Sequence, residues 1–286
     1  MSARLDSKVK GVRVFPPAPV GFDAASATRK DLQRFGIPLR PDATRQPGLA
    51  AVWDRHVRRY RDFEHVAAEL IPGDTIVEPG PVKALGLFPG EACGYELTSV
   101  AAPFTMVSGT WTVPNLRHRP SPHGPVFFRT FFGLGFLDVH VEMTVDAAEQ
   151  VTALIRIHTG AQIALAVSPG DTITAVLCLQ TNAAGTAFYF VANETTSQTV
   201  NFTIDTGFPP AVTINAGISR GRADAPLNPL AGFGTVYFDE IAAFTTNGTR
   251  FLTDGVATTM VDRTGATLAQ PFRLNDFAFK IVRRGG

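Results

Sequence analysis

Asp138, His140 and Glu142 occupy alternate positions of the run Leu137-Asp138-Val139-His140-Val141-Glu142, whose other positions are aliphatic. In an extended strand successive side chains point to opposite faces, so these three share one face and Val139, Val141 and Met143 the other. Downstream, Arg156 and His158 share a face opposite Ile155 and Ile157. Four chemistries are open to such a set. Arg156 can pair with Asp138 or Glu142 in a salt-bridged floor, because buried charges need partners. The same polar row on a concave sheet can recognise an extended ligand. Asp138, His140, Glu142 and His158 have donor types that suit zinc or a similar ion, although alternate positions on a strand carry little specificity. Asp138 and Glu142, as like charges, would raise one pKa, as the carboxylate pair of an acid hydrolase requires.

Other chemistry-bearing residues are isolated. His118 and His123 flank Arg119-Pro120-Ser121-Pro122 and are expected in an exposed loop. Gly133-Leu134-Gly135 is no phosphate loop, since no helix follows it. No serine-centred elbow, Cys–His nucleophile motif or zinc-finger spacing is present. Cys93 and Cys178 are expected as two unbridged thiols. The sequons at Asn193, Asn201 and Asn247 matter only in a secretory route and also suit strand-and-turn composition.

The elements that must position these groups read as strands. The 286 residues exceed one average domain, but all-β sandwiches reach this length as one unit. Hydrophobic residues make up 45% and charged residues 18%, too apolar for a disordered chain. Strands are predicted at Phe104–Val113, Val126–Phe132, Phe136–Val145, Val151–His158, Ala161–Val167, Thr172–Gln180, Ala187–Ala192, Thr199–Ile204, Thr235–Phe244 and Phe277–Arg283. Turn residues at Pro169-Gly170-Asp171, Ala184-Gly185, Asn247-Gly248 and Asp254-Gly255 separate them. Many short strands without intervening helices imply a sandwich or jelly roll.

The first part of the chain differs. Residues 1–48 are punctuated by proline and read as an extended, basic, Pro-rich leader, with a short helix near Ala27–Phe35. Residues 49–85 read as a helix and linker packed on the sandwich, and 86–286 as the sandwich itself. The helix is predicted over Gly48–Leu70, where Trp53, Val57, Tyr60, Phe63 and Leu70 form one apolar stripe. Residues 1–61 hold 13 Lys and Arg against 5 Asp and Glu, whereas the remainder holds 13 against 20. A basic arm beside an acidic body is expected to dock on it, and no nucleic-acid motif argues otherwise. No apolar run is long enough for a membrane helix. Met1 to Phe15 lacks the apolar core of a secretory signal. The chain as written is therefore expected in the cytoplasm, or outside the cell if a signal has been removed.

The run Ser108-Gly109-Thr110-Trp111-Thr112-Val113-Pro114 resembles the eqolisins, the glutamic acid endopeptidases of peptidase family A4/G1. So do Val167-Ser168-Pro169-Gly170-Asp171-Thr172-Ile173, Asn193-Glu194-Thr195-Thr196-Ser197-Gln198, Pro229 to Phe238 and Thr259 to Phe277. Order and spacing together cover most of residues 86–284. The resemblance implies an all-β fold: an eqolisin, concanavalin A-like sandwich or jelly roll of two antiparallel sheets. It also implies a substrate cleft on a concave face, into which Asp138, His140, Glu142, Arg156, His158 and Trp111 would look.

The same resemblance locates departures. Asp138 stands where the family has its catalytic glutamine. Ala216, or Asn215 one place off, stands where it has its catalytic glutamate. Arg156 replaces a third cleft carboxylate, and Glu91-Ala92-Cys93-Gly94 lacks a cleft tryptophan. Family chemistry needs a glutamate as base and then acid, and a glutamine amide as donor to the oxyanion. The implied protein is a non-catalytic relative that binds an extended peptide or glycan in the cleft or serves structurally. It needs no cofactor, nucleic acid or membrane. The alternative is an active acid endopeptidase with a carboxylate site rebuilt around Asp138 and Glu142. A further carboxylate near Asp138, such as Glu91, Glu96 or Glu240, would favour that alternative.

Overall fold

The structure, a computed structural model, describes residues 5–73, 87, 90–121, 124–179, 185–205, 207, 209–220 and 229–285. His123, Gln180, Ala184 and the start of the strand-rich region near Thr75 lie outside the described residues.

Two sheets pack face to face, as the resemblance implies. The eight-stranded sheet runs in the order Val256–Thr258, Ala92–Thr98, Thr213–Ser219, Val126–Leu134, Leu137–Val145, Val151–Ile157, Gln162–Ile163, Leu70–Ile71. The twelve-stranded sheet is centred on Gln198–Asp205, Thr186–Asn193, Thr172–Leu179, Phe104–Thr112, Thr235–Thr245 and Ala278–Arg283. Pairing is antiparallel except where Glu64–His65 lies parallel to Gln198–Thr199. Alternation drives the layering. Val139, Val141, Met143, Phe132, Ile155 and Ile157 from one sheet meet Trp111, Leu177, Tyr189, Val191 and Phe202 from the other in one core. Gly109 is needed there, because a β-carbon would come within 2.7 Å of the Phe132 ring.

Residues before the sandwich complete it. Val12–Val14 pairs with Phe202–Ile204 and, on its other side, with Leu5–Asp6, which ends the twelve-stranded sheet. The basic arm docks on the body: Arg13 meets Asp205 at 3.0 Å, and Arg59 meets Glu194 at 3.3 Å and Glu240 at 2.5 Å. The first helix is Arg29–Arg34, shorter than predicted, capped where Thr28 Oγ1 accepts the Asp31 N–H.

The second helix, Pro47–Arg59, stops eleven residues short of the predicted end at Leu70. The apolar stripe continues, but tertiary pairing takes it over: the N–H groups of Glu64 and Val66 donate to Ser197 and Thr199, and Leu70 joins Ile163 in the opposite sheet. This helix covers the outer face of the twelve-stranded sheet, where Tyr60 packs on Phe190, Phe188 and Met106. A polar anchor fixes it. The Tyr60 hydroxyl donates to Glu194, which also accepts from Thr174 at 2.7 Å; Thr174 in turn lies 2.7 Å from Thr110.

Smaller differences concern strand ends. The predicted Ala161–Val167 strand reduces to Gln162–Ile163, and Ala92–Thr98, Thr213–Ser219 and Thr267–Asn275 add strands of their own. Cys93 and Cys178 are both unbridged. Asn193 is buried and donates to the Ala166 carbonyl and the Asp171 carboxylate, while Asn201 donates to Phe35 and Gly36 carbonyls. Among the described residues no helix is long and apolar enough to cross a membrane.

Candidate functional site

The outer face of the eight-stranded sheet carries the Asp138 row. Directly opposed residues of antiparallel strands share a face. Asp138 opposes Gly133, Gly133 opposes Asn215, and Asn215 opposes Glu96. These four positions form one line across four strands. The next line holds Arg156, His140 and Phe131, and the one after it Glu142 and Arg129.

Register resolves the position left open between Ala216 and Asn215. Ala216 is fully buried in the core, opposite Phe132, on the face away from Asp138. Asn215 shares the Asp138 face and is 2% exposed. Its amide leans over Gly133: a β-carbon on that glycine would come 2.4 Å from Asn215 Oδ1. One carboxylate and one carboxamide thus flank a glycine, with two strand spacings, about 10 Å, between their α-carbons.

Asp138 is 6% exposed and His140 4%. His140 Nδ1 lies 2.9 Å from Asp138 Oδ1. Burial pushes the Asp138 carboxyl up, but the neighbouring His140, its hydrogen bond, Arg129 and His158 outweigh this and hold it below its ordinary value. Burial and Arg129 push His140 down despite Asp138. The pair is therefore a neutral imidazole donating to an ionised carboxylate. Glu142 lies between two guanidiniums, 3.5 Å from Arg129 Nη2 and 3.3 Å from Arg156 Nε. Arg156 also donates to the Gly160 carbonyl at 2.8 Å. This is the salt-bridged floor expected from the sequence, with Arg129 as an additional member and Glu142 as the carboxylate partner of Arg156.

One expectation needs correction, and two of the open chemistries are not assembled. Trp111 does not line this face. It is 1% exposed in the core, where its indole N–H donates to Thr130 at 2.8 Å and its ring stacks on Phe132. Asp138 and Glu142 cannot share a proton as an acid pair, because four residues of strand separate them by about 13 Å and each has its own basic neighbour. Asp138, His140, Glu142 and His158 do not converge on a metal: among the described residues no three His, Cys, Asp or Glu groups are arranged to hold one. The His158 ring instead meets the Tyr189 hydroxyl of the opposite sheet at 2.8 Å, and its burial pushes its pKa down. His118 is half-buried, and its backbone N–H donates to Glu149.

Of the further carboxylates, Glu96 stands in the Asp138 line but beyond Asn215, about 14 Å from Asp138 at three strand spacings. Glu240 lies on the other sheet against Arg59. The sequence signal that distinguishes Asn215 from Ala216 was the parity of the Thr213–Ser219 strand. That parity becomes readable only once Ile214, Ala216 and Ile218 are recognised as its core face.

Comparison with known proteins agrees with this architecture. A family model described as the Peptidase A4 family matches residues 90–272. No curated protein matches the chain. Among solved structures, scytalido-glutamic peptidase with a transition state analog inhibitor is similar with a TM-score of 0.54 at 14% identity, over 68% of this chain and 98% of that one. SCP-B, a member of the eqolisin family in complex with the tripeptide Ala-Ile-His, gives 0.53 at 14% over 68% and 98%. At such identity the likeness is one of fold, and the family match leaves residues 1–89 outside it. The match from 90 to 272 spans well over half of the 286 residues, so the chain belongs to the peptidase A4 family.

Proposed function

We propose that this member of the family binds an extended peptide along the Asp138–Asn215 face without hydrolysing it. The observation that carries this reading is the state of the Asp138 carboxylate. It is buried, hydrogen-bonded to His140 and held below its ordinary pKa. A general base that must later protonate a leaving amine needs a pKa near the working pH. Asp138 is poorly suited to that second step, and Glu142 is committed to two arginines. The neighbouring folds crystallised with a peptide-based ligand or tripeptide support a peptide as the occupant.

One observation favours a second reading. An acid and an amide flank Gly133, the two functional groups of family chemistry with their strands exchanged. In that reading Asp138 activates water and the Asn215 amide donates to the oxyanion.

The two readings separate by assaying cleavage of a denatured protein from pH 2 to 7, with folding checked at each pH. Peptide binding is followed in parallel by fluorescence anisotropy. Binding without turnover, weakened in Asn215→Ala and Arg129→Ala, supports the first. Turnover lost in Asp138→Asn and Asn215→Ala but kept in Glu142→Ala overturns it in favour of the second.

A further inference from the structure

The outer face of the other sheet carries a separate cavity. Helix Pro47–Arg59 and the segment before it roof over a space of about 1360 Å³. Its floor includes Met106, Val176, Phe188 and Phe190; Val52 and Trp53 of the helix contribute to the roof. Close-packed interfaces leave few voids larger than a water molecule, and small-molecule sites usually occupy about 300–1,000 Å³. The space exceeds that range, so one small ligand would fill only part of it. Its roof comes from residues before position 90, outside the family match, so the chamber is built from what this chain adds to the sandwich.

The lining has two characters. Met106, Val176, Phe188, Phe190, Leu49 and Val52 make an apolar stretch of the lining, beside the polar Thr105, Asn201 and Thr203 and the carboxylates of Asp42 and Asp205. At the rim, Arg29 makes no ion pair among the described residues, and Arg45 has only a 3.7 Å contact with Asp42 while its side chain is 86% exposed. The thirteen-residue helix begins beside Arg45, and Gln46 and Leu49 of that first turn also line the space. That turn has no side-chain cap, a proline at its first position and no acidic residue. Its N-terminal end therefore adds positive potential to the arginine rim. A positive end beside an apolar stretch that is partly open to solvent matches a molecule with one aliphatic chain and one anionic head.

We propose that this chamber binds a long-chain aliphatic carboxylate. The head group sits at Arg45 and the helix N-terminus, and the chain lies over Val176 and Phe188. This site is on the opposite sheet from the Asp138 face and does not depend on what that face does.

The test uses the full chain, stripped of bound lipid, titrated calorimetrically with octanoate, decanoate and dodecanoate. Affinity should rise about fourfold per methylene as apolar surface is buried. Arg45→Glu, at an exposed position that folding tolerates, should weaken dodecanoate at least tenfold and leave dodecanol unchanged. Dodecanoate should also slow alkylation of Cys178, which lines the chamber, while Cys93 remains buried in the core. No binding up to about 1 mM overturns the proposal. Binding that neither Arg45→Glu nor Cys178 alkylation senses also overturns it. Sedimentation with anionic phospholipid vesicles in the absence of soluble carboxylate binding would replace it with a membrane contact.

Discussion

Asp138 and Asn215 stand on one face of one sheet, in one line of the ladder, with Gly133 between them and the Asn215 amide leaning into the space a side chain there would fill. Gly133→Ala would place a methyl 2.4 Å from Asn215 Oδ1. Overpacking of this kind costs about 1–3 kcal/mol. Urea denaturation should show that loss in Gly133→Ala, and Asn215→Ala in the same chain should recover part of it. Additive losses would mean that the two residues are not in contact.

The His140–Asp138 pair predicts an asymmetry between its two partners. His140→Ala leaves a buried carboxylate without its imidazole and should cost about 3 kcal/mol. Asp138→Asn removes the charge and should cost less. Because the folded pKa of Asp138 is depressed, its stabilisation is present above the ordinary carboxylate value and is lost as pH falls through the folded value. Denaturation curves from pH 7 to 2 should therefore fall more steeply below pH ~4 for wild type than for Asp138→Asn. Parallel curves would refute the assignment.

His56 supplies a second acid-sensitive group in a different window. It packs against Tyr60 and Phe190 at ring-centroid distances of 4.5 and 4.2 Å. Burial, with Arg59, Arg55 and His65 adding to it, pushes its pKa down to about 3. The unfolded chain then binds a proton between pH ~6.5 and 3 that the folded chain refuses, so stability declines as pH falls through that range. His56→Phe should flatten the decline above pH ~4 while leaving the Asp138-dependent loss below it.

The anchor under the second helix can be tested locally. Tyr60→Phe removes the hydroxyl that donates to Glu194 and should cost about 1–2 kcal/mol. Amide exchange should quicken in Pro47–Arg59 while the strands of the core keep their protection. Uniform acceleration across both sheets would mean that the helix and sandwich unfold as one unit.

How much of this was legible follows from what each residue answers to. The Leu137–Val145 strand and its polar face were readable, because a strand buried on one side must alternate. The helix end was not: Phe63 and Leu70 keep helical spacing, yet Gln198 and Thr199, more than a hundred residues away, claim the backbone from Glu64 onward. The place of Trp111 is not legible, because an aromatic in a recognisable motif carries no mark of which face it takes; its partner Thr130 lies on another strand. Arg129 is illegible for the same reason, since its cross-strand pairing with Glu142 exists only in the assembled ladder.

The strand Val12–Val14 is added to the sheet beside Gln198–Asp205, so Arg13 meets Asp205 across 192 residues. During synthesis this strand is made well before its neighbour, so it can be seated only after Gln198–Asp205 has followed it. At about 5–20 residues per second, that wait is roughly 10–40 s. Long-range closure of this kind slows assembly. Val12–Val14 is thus a cover cut before the floor it is to close, and it must wait for that floor to be laid.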